Sequence, residues 1–66
     1  MNTFYDVQQL LKKYGIFIYT KDIVADSELM EFELNELKES GLLETNDYLK
    51  AIVIVRKRKS EHINSQ

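Results

Sequence analysis

No cysteine, proline or tryptophan occurs among the 66 residues, and glycine appears only at Gly15 and Gly41. Without cysteine, disulfide staples and thiolate metal sites are excluded. The same absence fits a reducing compartment. Without proline, nothing breaks a helix from within. The longest apolar run, Ala51 to Val55, falls far short of the roughly 20 residues that span a bilayer. No charged patch followed by an apolar stretch opens the chain, as an export signal would require. We therefore expect a soluble, cytoplasmic protein with no membrane partner. A chain this short buries only about 60% of its unfolded surface. With staples excluded, tight helix packing or self-association must supply its stability.

What the chain does have is charge sorted by position. From Asp22 to Asp47 there are nine acids and one lysine, a net −8; from Tyr48 to Lys59 there are five bases and no acid. The overall charge of −2 hides this dipole. Such a surface offers an anion one end and a cationic partner the other.

The two glycines divide the chain into three segments, each glycine standing where a left-handed residue closes a helix. Thr3 is a good N-cap, and Asp6 places a carboxylate in the first turn. Phe4, Val7, Leu10, Leu11 and Tyr14 then keep to one helical stripe, and Lys12 and Lys13 fall in the last turn. Ile16 to Thr20 is β-branched and aromatic and reads as an extended, buried connector. A second helix starts with Asp22 or Ser27 as its cap and ends at Ser40. Ile23, Met30, Leu34 and Leu37 form its apolar face, widened by Leu29, while Phe32 lies off that face among carboxylates.

Thr45, Asn46 or Asp47 can cap a third element. Two readings of it stay open. Ile52 to Val55 could be a strand pairing with Ile16 to Thr20, or part of a helix whose apolar arc is Tyr48, Leu49, Ile52, Val55 and Ile63. The absence of strict alternation favours the helix. Ser60 to Gln66 is expected to be a frayed tail, leaving residues 1–59 as a single domain.

Catalysis finds no footing. The lone His62 sits near the chain's end, in a segment expected to be mobile, where a preorganised triad is not expected. The acids of the second helix fall on a solvated face and lack calcium-loop spacing. Neither glycine belongs to a phosphate loop. We expect no enzyme activity, no cofactor, no metal and no small-molecule substrate.

Binding is better supported. Arg56, Lys57, Arg58 and Lys59 form a basic run that either stabilises a helix C-terminus or meets phosphates. Lys50 lies one heptad before Lys57 on the same face, and Ile54 projects among these bases, away from the expected core arc. Lys12 and Lys13 add charge. Tyr5 falls on the polar face of the first helix and is the best ring for stacking on a base, whereas Tyr14, Phe17, Tyr19 and Tyr48 are expected in the core. The alternative is a protein-interaction or self-association module that uses the acidic helix with Phe32 and Ile54.

The run Asn-Thr-Phe-Tyr-Asp-Val-Gln-Gln-Leu-Leu from Asn2, Ile-Tyr-Thr-Lys-Asp from Ile18 and Ala-Asp-Ser-Glu-Leu-Met-Glu-Phe-Glu-Leu from Ala25 resemble the YqgQ-like family of small bacterial proteins. The resemblance extends over roughly Met1 to Val55. It implies an all-α, small three-helix bundle and single-stranded nucleic-acid binding, and it stops short of Arg56 to Lys59.

Overall fold

A computed structural model describes residues 1–65. Three helices follow one another: α1 (Phe4–Lys12), α2 (Ile23–Glu39) and α3 (Thr45–Asn64). No strand occurs among the described residues, so the strand reading of Ile52 to Val55 falls, and those residues lie in the middle of α3.

α1 starts where its side chains dictate. The Thr3 hydroxyl accepts from the Asp6 amide at 3.1 Å, and the Asp6 carboxylate accepts from the amides of Asn2 at 2.9 Å and Thr3 at 3.1 Å. This capping box satisfies donors that the first turn leaves over. The Asn2 amide first, and the Thr3 amide after it, hold the Asp6 carboxyl below its ordinary value of 3.8. The helix closes at Gly15, whose φ of 78° lets the Ile16 amide bond back to the Leu11 carbonyl at 3.1 Å.

Asp22, not Ser27, caps α2, accepting from the amides of Val24 and Ala25 at 3.1 and 3.2 Å. Ser27 lies in the second turn, fully buried. Gly41, with φ 79°, ends α2 as Gly15 ends α1, and Leu42 and Leu43 bond back to the Leu37 carbonyl. Leu43 then drops into the core. That anchorage sets the cap of α3 at Glu44, which makes no side-chain bond. Thr45, Asn46 and Asp47, the expected caps, instead fill the first turn, where the Asp47 charge favours the helix N-terminus.

Val7 and Leu11 of α1, Met30, Leu34 and Leu37 of α2, Leu43, and Ala51, Ile52 and Val55 of α3 form one core. Each large side chain removed from water there contributes roughly 2 kcal/mol. α2 and α3 run antiparallel as a hairpin, with Glu31 beside Arg56 and Asn35 beside Tyr48, and α1 packs on one side of it.

The arc of α3 differs from expectation. Because α3 meets α1 as well as α2, its buried side centres on Ala51 and Val55, and Ile54 is half-buried against the core. Leu49 and Ile63, expected inside, are exposed, as is Leu29 on α2. The third helix also runs further than expected. It continues through Asn64, where the Asn64 amide group donates to the Ser60 hydroxyl at 3.3 Å. Ser60 to Ser65 is therefore helix and cap, and Gln66 lies outside the described residues. No helix among the described residues is long and apolar enough to cross a membrane.

Candidate nucleic-acid interface

The connector between α1 and α2 carries the main surprise. An extended chain lying on a helical layer turns alternate side chains inward, and here Ile16 and Ile18 go in while Phe17 and Tyr19 come out, 72% and 73% exposed. The expectation of a core role for both rings is therefore wrong. Tyr14 is 37% exposed, its hydroxyl donating to the Leu42 carbonyl at 3.2 Å. Tyr48 is half-buried, its hydroxyl donating to Asn35, and the Lys38 ammonium sits 4.9 Å from its ring centre.

Two tethers fix this connector. The Gln8 amide group donates to the Ile18 carbonyl at 3.2 Å. The carboxylate of Asp26, itself 1% exposed, accepts from the Thr20 amide at 3.0 Å and from the Thr20 hydroxyl at 2.6 Å. Tyr19 stands between the two tethered residues. Its direction is set by both.

The result is a hollow of about 440 Å³ lined by Tyr5, Gln8 and Lys12 of α1 and by Phe17, Ile18 and Tyr19 of the connector. Tyr5 is 63% exposed, so three rings present accessible faces at one place. A second hollow of about 430 Å³ shares Tyr5, Gln8 and Tyr19 and adds Phe4, Lys21, Ile23, Asp26 and Arg58. A third, of about 230 Å³, shares Phe4 and Arg58 and continues past Ile54 to Lys57 and Glu61. Shared walls make these one strip across α1, with Lys12, Lys21, Arg58 and Lys57 spaced along it. Of its two acids, Asp26 is turned inward to Thr20 and only Glu61 is exposed.

The expected basic residues divide accordingly. Lys12, Lys57 and Arg58 line the strip, and Lys50 precedes Lys57 by two turns on the same side of α3. Lys13 belongs elsewhere, beside Asp6 and Asp47. Arg56 points to α2, its guanidinium donating to the Glu31 carboxylate at 2.9 Å. Lys59 is half-buried and lies about 200° around the helix from Lys57. Phe32 is 59% exposed, as its off-stripe position implies, whereas Ile54 is part of the strip's wall and not a free apolar patch. Sequence reasoning missed Lys21, Phe17 and Tyr19. The signal was present in the period-two alternation from Ile16 to Tyr19, with the aliphatic residues in one phase and the aromatic ones in the other.

A helical hairpin of α2 and α3 with the short α1 across one side and a ring-lined, basic strip along it defines a small all-α, three-helix protein. The chain matches the YqgQ-like family over residues 1–61, and it belongs to that family. It is 39% identical over 66 residues, all of this chain and 93% of the relative, to the uncharacterised protein YqgQ of Bacillus subtilis (strain 168). The match takes in Arg56 to Lys59, beyond the stretch that carries the sequence resemblance.

Proposed function

We propose that this protein is a non-enzymatic, cytoplasmic binding module for single-stranded nucleic acid, with the strip across α1 as its binding face. The carrying observation is the gathering of Tyr5, Phe17 and Tyr19, all exposed, around one hollow with Lys12. Single strands are held without sequence preference by rings that stack on successive bases and by cations that follow the backbone. Both components lie in one strip here. Among the acids of α2, Glu28 and Glu39 lie about 200° and 180° around the helix from the buried Met30 and face away from α1, whereas Glu33 lies on the side of Asp26.

The test is fluorescence anisotropy with a labelled single-stranded oligonucleotide of about 10 nucleotides, within the site sizes such surfaces cover. With four cations along the strip, affinity should fall with salt at a log–log slope of about −3. Tyr5→Ala and Tyr19→Ala should each weaken binding by about 1–3 kcal/mol. Lys57→Glu with Arg58→Glu should abolish it, while Lys13→Glu should leave it nearly intact. Absence of binding at low salt, or equal loss from Lys13→Glu and Lys57→Glu, overturns the proposal.

A further inference from the structure

α1 covers one side of the α2–α3 hairpin, and no other element among the described residues covers the opposite side. On α2, Phe32 stands about 200° from the buried Met30; on α3, Leu49 and Val53 stand about 200° from the buried Ala51. They are 59%, 51% and 63% exposed. Three large apolar side chains on one side of so small a molecule form a patch that marks contact with another protein. Glu28 and Glu39 flank the patch on α2. Arg56, whose guanidinium also meets Glu31, and Lys50, at the edge shared with the strip, flank it on α3.

We propose that this side is the interface of a symmetric homodimer in which α2 of each copy lies against α3 of the other. A second copy is the occupant because the surface is its own electrostatic complement, an acidic helix and a basic helix side by side about an apolar centre. Isologous pairing permits two arrangements. A twofold axis lying across the helices stacks α2 on α2 and sets acids against acids. An axis running along the helices places α2 over α3, acids over bases, and leaves neighbouring helices antiparallel in a four-helix layer pair.

That second arrangement also fixes the register. Rotation about an axis along the helices does not change a residue's height, and the contact between Glu31 and Arg56 shows which turns of α2 and α3 are level. Phe32 of one copy therefore meets Val53 of the other. The molecule's two longer extents, 37 and 21 Å, bound a side comparable to the roughly 800 Å² per partner that stable interfaces bury. The nucleic-acid strip crosses α1 on the other side of the hairpin and meets this side only along the edge of α3 where Lys50 and Lys57 stand.

Sedimentation equilibrium of the full chain tests this. The expected result is a dimer that dissociates on dilution and loosens with salt. One variant, Glu28→Lys with Glu39→Lys, makes both helices basic on this side; another, Lys50→Glu with Arg56→Glu, makes both acidic. Each alone should be monomeric, with dimerisation weakened at least about tenfold by like-charge contacts, and an equimolar mixture should form heterodimers. Val53→Glu, a change at an exposed position, should give a folded monomer by circular dichroism and supports the same interface should a charge variant fail to fold. A strictly monomeric parent chain at millimolar concentration overturns the proposal. So does a dimer that survives Val53→Glu, or a mixture of folded charge variants that does not associate.

Discussion

The two connectors of this protein do the same topological work by different means. Residues 40–44 turn the chain in a few steps and are held by apolar burial, with Leu43 seated in the core and backbone bonds returning to Leu37. Residues 13–22 take a longer path and are held by polar side chains, Gln8 on Ile18 and Asp26 on Thr20. A hydrogen bond joins them, from the Tyr14 hydroxyl to the Leu42 carbonyl. The first connector seats Leu43 in the core and leaves Leu42 63% exposed. The second packs Ile16 and Ile18 against the core and leaves Phe17 and Tyr19 facing solvent, and only it contributes to the ring-lined strip.

Leu43→Ala tests the first half of this contrast with the largest expected effect. It should destabilise the whole protein by about 2–4 kcal/mol, as deletion of a core leucine does, read as a lower urea midpoint in a single transition. Asp26→Ala should cost about 1–3 kcal/mol through lost bonds to a charged acceptor, and its signature is local. Amide exchange should rise most at residues 17–21, and the affinity for the oligonucleotide should fall although Asp26 is buried beneath the strip. If exchange rose equally in α3, the two connectors would not be separately secured. The smallest effect concerns the turns that open each connector. Gly15 and Gly41 have φ of 78° and 79°, and open space surrounds the point where a methyl group would stand, with nothing within 4 Å. Backbone strain alone then sets the cost, so Gly15→Ala and Gly41→Ala should each lose about 1 kcal/mol. A marked inequality in thermal midpoint would show that one connector relaxes around the strain and the other does not.

Helix positions were legible in the sequence because caps and glycines are local signals. Thr3, Asp6, Gly15 and Gly41 act where their chemistry says they should. The start of α3 was not, because Leu43 decides it through a tertiary contact that no capping rule contains. The face of α3 was misjudged for a related reason: an arc drawn for one partner helix omits α1, and adding α1 brings Ile54 inward and turns Leu49 out. The site was half legible. Tyr5, Lys12, Lys57 and Arg58 were candidates from helical faces and charge and line the strip, yet the rings of the connector were placed inside because aromatic residues favour burial, and the competing preference of Ile16 and Ile18 for the same space was not weighed. Arg56 looked equivalent to its neighbours in the basic run. Only the structure joins it to Glu31.

Lys21 adopts φ 71°, the left-handed conformation that this chain elsewhere gives to glycine. A side chain in that region raises the energy of the backbone by about 1 kcal/mol relative to glycine, so a sequence shaped by stability alone would carry a third glycine here. Instead the turn holds a cation between the rings of the connector and the cap of α2. The departure sets a cation at a backbone position that glycine would occupy with less strain.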